Sequence, residues 1–358
     1  MRLPVFWRSR PLVGLDIGSS AVKAVELRPS GKSFKVVGFG TQPLPADSIV
    51  DGAIIDGAAV ADAIRRLFEE RGLKTKEVVA SLSGTAVIVK KITLPPMSEA
   101  ELAESISWEA EQYVPFDIQD VNLDYQVLSG AQGAQAAGPG MDVLLVAAKK
   151  EKIADYTGVI RQAGRTPVIV DVDAFALQNC YEANYDLEPG AIIALVNAGA
   201  SATNVNVIAG QQSLFTRDIS IGGNAFTEAL QKELHISHED AERLKQGTAV
   251  DGLDLEHARP VLRAVTDNVL LEIQKTFDFF RGTTGTDRID RIVVSGGASR
   301  VDGFADMLGD RFESQIEHFD PFRRIAFDAA KFGVQAPDDV AATAAVAVGL
   351  ALRRVGDR

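Results

Sequence analysis

The chain of 358 residues carries 37 Lys and Arg against 49 Asp and Glu, a formal net charge of -12, and is 46% hydrophobic. That length accommodates about two domains with real cores, and the acidic balance without a basic stripe argues against general nucleic-acid binding. The one cysteine, Cys180, excludes an intrachain disulfide framework, a zinc cluster and a cysteine-ligated iron–sulfur cluster, and fits a reducing compartment.

No run of about 18 apolar residues is present to cross a bilayer. Met1 to Arg10 sets Arg2, Arg8 and Arg10 around Val5, Phe6 and Trp7. It lacks the apolar core and cleavage site of a secretory signal and reads as a loose terminus. Leu12–Ile17 is an apolar strand closed by Gly18-Ser19-Ser20, and strands at Ala21–Leu27 and Lys35–Thr41 follow. Gly57–Arg71 reads as a helix with Val60, Ile64, Leu67 and Phe68 on one face and Gly72 as its stop. Val78–Leu82 is a buried strand.

The texture changes near Ala86. A strand, Val87–Leu94, runs into Pro95-Pro96, and Ser98 with Glu101 forms a capping box for a helix rich in glutamate. Val121–Leu128 and Asp142–Ala148 alternate like half-buried strands, with a Gly/Ala/Gln-rich loop, Ser129 to Gly140, between them. A helix, Glu151–Ala163, and a strand, Val168–Val172, follow. The order strand, glycine turn, strand, strand then repeats at Ala191–Asn197, Ala202–Ala209 and Gln212–Ser220, which implies two related domains facing one another. A helical block spans Ala225–Gly282, Ile289–Ser295 is a strand ending in Gly296-Gly297, and Val340–Val355 is an Ala-rich buried helix.

Four segments carry candidate chemistry. In Asp16-Ile17-Gly18-Ser19-Ser20 the serine amides can form an anion nest, and Asp16 can hold a hydrated magnesium ion. Asn197-Ala198-Gly199-Ala200-Ser201-Ala202-Thr203 has the same shape, so the two hairpins together can grip a polyphosphate. Gly222-Gly223 opens a helix, and Glu242 and Lys245 further on lie three apart on one helical face, able to meet ribose hydroxyls. Ser295-Gly296-Gly297-Ala298-Ser299-Arg300 lets backbone approach a ligand, with a helix N-terminus to favour an anion. Ordinary hairpins, a surface ion pair and a generic turn are the alternative readings of these four segments.

In this order the segments resemble the actin/DnaK-type/hexokinase superfamily, as phosphate loop one (with Lys23), phosphate loop two, the ribose-binding helix and the adenosine loop. Ser107-Trp108-Glu109-Ala110-Glu111-Gln112-Tyr113-Val114-Pro115-Phe116, Val121-Asn122-Leu123-Asp124-Tyr125 and Val348-Gly349-Leu350-Ala351-Leu352-Arg353 narrow the resemblance to the actin-like PilM family of type IV pilus assembly proteins.

The resemblance implies an α/β, actin-like ATPase fold. Its subdomains would be IA (1–86, returning at 166–189), IC (87–165), IIA (190–222 and 288–337), IIB (223–287) and a last helix (338–358) returning to IA. It further implies ATP or ADP with Mg2+. It implies a cytoplasmic protein, not inserted in the membrane, that is recruited to the inner membrane by the cytoplasmic N-terminal peptide of a PilN-like bitopic protein docking between IA and IC. Contacts with other pilus proteins, the cytoplasmic ATPases among them, and self-association stay open.

Asn197 departs from the family's usual aspartate; an amide cannot accept a proton as a base would, so the expectation is nucleotide binding with at most slow hydrolysis. The helix glutamates and Val114, Pro115 and Phe116 imply an apolar groove rimmed with negative charge, the other reading being that Phe116 and its neighbours are core. A filament-forming FtsA- or MreB-like protein and, below it, a metabolic kinase are the alternatives. No stretch reads as an amphipathic membrane tail, and no base for a kinase acceptor is evident.

Overall fold

The computed structural model describes residues 11–129, 140–250, 252–286 and 288–357. The expected loose terminus and all but the edges of the expected Gly/Ala/Gln-rich loop lie outside them. The chain opens with an antiparallel meander of β1 (Val13–Ile17), β2 (Ala21–Ser30) and β3 (Ser33–Pro43). Every residue of β1 is buried, as a central strand covered on both faces requires. The short strands β4 (Ile49–Val50) and β5 (Ala53–Ile54) lead to α1 (Gly57–Glu70). The Asp56 carboxylate caps this helix by accepting from the Ala59 amide at 2.9 Å, and Val60, Ile64, Leu67 and Phe68 are buried. β6 (Glu77–Leu82) pairs parallel with β1.

The inserted body follows: β7 (Val87–Leu94), α2 (Glu99–Glu111), β8 (Val121–Ser129) and β9 (Met141–Lys149). Its sheet runs β7-β9-β8, all antiparallel. It has its own core, with Leu102, Ile106, Val143 and Leu145 inside. Both bonds of the capping box at Ser98 and Glu101 are present. α3 (Lys150–Gln162) then packs on α1, placing Tyr156, Val159 and Ile160 in the first domain's core. β10 (Thr166–Val172) pairs parallel with β6, completing the order β3-β2-β1-β6-β10. Next comes α4 (Asp173–Asn184).

The second half repeats this grammar. β11 (Ile192–Ala198), β12 (Thr203–Ala209) and β13 (Gln212–Ile219) form the antiparallel trio. The expected single helical block is three helices, α5 (Gly223–Leu234), α6 (His238–Lys245) and α7 (Leu255–Thr284). His235 in the left-handed conformation ends α5, and Ser237 and Asp254 cap the next two helices. β14 (Arg291–Ser295), α8 (Phe304–Phe312), β15 (Gln315–His318) and α9 (Pro337–Leu352) complete the chain. β14 starts two residues later than its apolar run predicts, because the Asp290 carboxylate takes the Ile192 amide at 2.8 Å. The sheet order is β13-β12-β11-β14-β15: an antiparallel trio and two parallel strands, as in the first half.

α4 was invisible to periodicity, because it is buried on several sides at once: Ala174, Ala176, Leu177, Cys180 and Tyr181 point in different directions into packed surroundings. It lies against α9, and this pair joins residues of both sheets into one core. The contact is backbone to backbone. A Cβ on Gly349 would stand 1.7 Å from the Ala176 carbonyl oxygen, and one on Gly14 in β1 would stand 2.2 Å from the Ala347 carbonyl oxygen. The Ala-rich composition of α9 is what permits such approach.

Gly349→Ala is therefore expected to force the two helices apart at a cost of about 1–3 kcal/mol or more, and to lower the thermal midpoint by several degrees. Gly158→Ala, in α3 with nothing within 4 Å of the new methyl, should hold or raise it. Equal midpoints for wild type and Gly349→Ala in a thermal melt would refute the close-contact account.

Candidate functional site

The two hairpins close with the same bond. Gly18 N–H donates to the Ala21 carbonyl at 3.2 Å in the β1–β2 turn, and Gly199 N–H donates to the Ala202 carbonyl at 2.9 Å in the β11–β12 turn. Ser19, Ser20, Ala200 and Ser201 sit at the tips, all accessible to some degree. Thr203 does not: it is fully buried, and its hydroxyl donates to the Ile221 carbonyl at 2.8 Å, tying the hairpin to the end of β13.

Around the second hairpin the other expected segments gather. The Gly223 and Asn224 amides donate to the Gly199 and Ala200 carbonyls at 2.8 and 2.7 Å, so the start of α5 is spent on the hairpin. Gly222 is compelled by this contact, since a Cβ there would meet both carbonyl oxygens at 2.6 Å. From α6, Lys245 Nζ donates to Glu242 Oε1 at 2.6 Å, to Thr227 Oγ1 at 2.8 Å and to the Gly223 carbonyl at 3.3 Å. The expected pairing of Glu242 with Lys245 is thus real, and both side chains turn toward the start of α5.

Gly296 lies at φ +86° against Ala198, with its amide donating to the Ala342 carbonyl at 2.6 Å. Gly297 is exposed, and Ala298 is buried close to Gly223. The helix expected after Gly297 is only a single 3-10 turn, Gly297–Arg300, so it supplies no helix N-terminus for an anion; the Val301 amide closes it on the Ala298 carbonyl. Arg300 pairs with Asp339 of α9 at 2.9 Å.

The electrostatics of the cleft centre on residues that the sequence reading did not single out. Asp173 begins α4, where Ser81 Oγ donates to it at 2.5 Å. Burial pushes its carboxyl up to about 6; the Asp16 charge, and more weakly Asp218, add to this, against the Ser81 and Ser83 hydrogen bonds. Two lysines answer these three carboxylates. Lys23 Nζ donates to Asp16 Oδ2 at 2.9 Å. Lys152 of α3 donates to the Ser83 carbonyl; burial lowers its pKa, opposed by Asp173 and Asp218. Asp173 was legible only as one more aspartate at a strand end, after Val168–Val172.

Among the described residues no group of three or more His, Cys, Asp or Glu side chains is arranged to hold a metal ion. A hydrated, phosphate-borne magnesium ion would need only one or two carboxylates from the protein, and Asp16, beside the first hairpin, is the one placed to offer it.

On the insertion, the expected apolar groove needs correction. Val114 is buried and Phe116 packs on the insertion's own core, with Lys149 Nζ 4.4 Å from its ring centre. The residue left outside is Trp108, 74% exposed on α2, with Glu104 and Glu111 exposed one helical turn to either side.

The raised Asp173 value gives a pH test in protein free of nucleotide and divalent ions. Its folded pKa, about 6, exceeds its unfolded value of 3.8, so its contribution to stability is complete below about pH 4 and is lost as pH rises through about 6. Asp173→Asn should gain on wild type between pH 5 and pH 8 by on the order of 1–3 kcal/mol. A constant difference across that range in denaturant melts would show that Asp173 does not carry the charge strain.

The family model for the type IV pilus assembly protein PilM matches residues 14–355. The solved structure described as a PilM–PilN type IV pilus biogenesis complex is 30% identical, with a TM-score of 0.85, covering 97% of this chain and 99% of that one. MreB5 of Spiroplasma citri bound to AMPPNP, 15% identical with a TM-score of 0.51 over 95% of this chain and 94% of that one, shows the shared fold alone. The cell division protein FtsA of Streptococcus pneumoniae is 24% identical over 253 residues, 65% of this chain and 54% of that protein. FtsA of Enterococcus faecalis is 23% identical over 355 residues, 86% of this chain and 78% of that protein. The twice-repeated sheet is the actin-like ATPase fold, and the chain belongs to the PilM family of type IV pilus assembly proteins.

Proposed function

We propose that this chain is a nucleotide-binding scaffold of the type IV pilus assembly platform. ATP with magnesium sits between its two hairpins, and its insertion side receives the cytoplasmic N-terminal segment of a PilN-like membrane protein at the inner membrane. The observation that carries the nucleotide part is the twin Gly-to-Ala turn at Gly18 and Gly199, with Gly222, Glu242 and Lys245 gathered beside the second. Asp16 would face the hydrated magnesium ion, Lys23 and the serine amides the phosphates, Glu242 and Lys245 the ribose, and Gly296, Gly297 and Ala298 the base. The bound AMPPNP of the similarly folded MreB5 supports this reading. Arg300, held by Asp339, would close that loop from outside.

The partner reading rests on the likeness to a PilM–PilN complex and on Trp108 standing exposed among carboxylates. An exposed indole flanked by negative charge suits a short peptide with a basic flank, such as a segment emerging at a cytoplasmic membrane face. Among the described residues no helix is long and apolar enough to cross a membrane.

ATP with magnesium at about a hundredfold excess over its dissociation constant should stabilise the protein by about 2.7 kcal/mol. Glu242→Ala should shrink the shift by weakening affinity about tenfold. Absence of any shift in nucleotide-free wild type would overturn the nucleotide reading.

For the partner, Trp7→Phe leaves Trp108 as the sole tryptophan. Titration with the partner's N-terminal peptide should move its emission to shorter wavelength, and Trp108→Ala should weaken binding by more than about tenfold. Saturable binding unaffected by Trp108→Ala would move the docking site elsewhere.

A further inference from the structure

Asn197 is the middle of a continuous polar chain. Ser295 Oγ donates to Asn197 Oδ1 at 3.2 Å. Asn197 Nδ2 donates to Asn204 Oδ1 at 3.1 Å, and Asn204 Nδ2 donates to Asp218 Oδ1 at 2.7 Å. The other oxygen of Asp218, Oδ2, accepts from the Gly84 backbone amide in the first domain. Four hydrogen bonds thus run from the end of β14 through β11, β12 and β13 and across the cleft.

They end at the neck of the insertion. Ser83-Gly84 leads into β7, Val87 N–H returns to the Gly84 carbonyl at 3.0 Å, and Lys149 N–H closes the far end of the insertion on the Ala86 carbonyl at 3.0 Å. Lys152, just past that end, donates to the Ser83 carbonyl, and β13 packs beside β7. Asp218 therefore grips the point where the inserted body joins the first domain.

The polarity of the chain is forced. A carboxylate only accepts and a backbone N–H only donates, so Asp218 must receive from both sides. That turns the Asn204 amide nitrogen toward Asp218 and its oxygen toward Asn197. Asn197 must then donate to Asn204, which leaves its oxygen for Ser295. An aspartate at 197 has nothing to donate. Asn204 would have to flip, setting its oxygen against the Asp218 carboxylate and breaking the next link.

We propose that Asn197, Asn204 and Asp218 are positioning residues that couple the second hairpin to the neck of the insertion, so that a rearrangement of the hairpin changes the hold on Ser83-Gly84. The coupling rests on the nucleotide reading only for what moves the hairpin; the link itself belongs to the ligand-free protein.

Hydrogen exchange of residues 83–94 in nucleotide-free protein reads that link directly. Asn197→Asp, in the other half of the molecule, should speed exchange of this segment about tenfold, and Asn204→Asp, which sets two carboxylates together, at least as much. The charge-conserving swap Asn204→Asp with Asp218→Asn lets residue 218 donate to residue 204 while still accepting from Gly84. It should restore exchange to within about twofold of wild type, because only geometry-specific partners couple in such a cycle.

Exchange in α1 serves as the control for an intact fold, and if Asn204→Asp does not fold, Asn197→Asp and the swap carry the test. The proposal is overturned if Asn197→Asp leaves 83–94 unchanged, or if the swap exchanges as fast as the broken single variants. A final arm adds ATP and magnesium. No response at 83–94 in wild type, with the apo results as expected, would count against the nucleotide reading and leave the link standing.

Discussion

The whole arrangement depends on one contact, the backbone of α9 lying on the backbone of α4 at Gly349 and Ala176. These two helices and the apolar faces of both sheets make a single core that crosses from one domain to the other. Because two packed helix backbones leave no slack, the sheets on either side are held at a fixed offset near this pair, while the hairpins at the ends of β1 and β11 stand free of it.

The polar side of the cleft follows from that placement. β1, α4 and β13 deliver Asp16 and Asp218 close enough to Asp173 to repel its charge, against Lys23 and Lys152. Three carboxylates with two ammonium groups leave a local excess of negative charge, and a buried uncompensated charge is costly. A divalent ion carried in on the phosphates of the proposed nucleotide would relieve it.

What was legible in the sequence was what is local. The hairpin glycines announce themselves because a strand end followed by Gly and small residues has few other conformations, and Glu242 with Lys245 because three residues is one helical turn. What was not legible depends on distant pairing. Asn204 and Asp218 become neighbours only through the β12–β13 register, and Asp173 meets Asp16 only because β10, β6 and β1 lie side by side. α4 hid because a helix buried on several sides has no amphipathic stripe. The apolar run after α2 misled for a related reason: Val114 and Phe116 belong to the core that the inserted body builds from α2 and its own three strands, and the exposed Trp108 interrupts no pattern.

Asn197 joins these threads. Judged against a catalytic template it is a missing carboxylate; judged against its surroundings it is the one side chain of that size that accepts from Ser295 and donates to Asn204 at once. A carboxylate at 197 would add negative charge beside the Asn204–Asp218 link, and would also reverse the only polarity that the Asp218–Gly84 contact allows. The amide serves charge and geometry together.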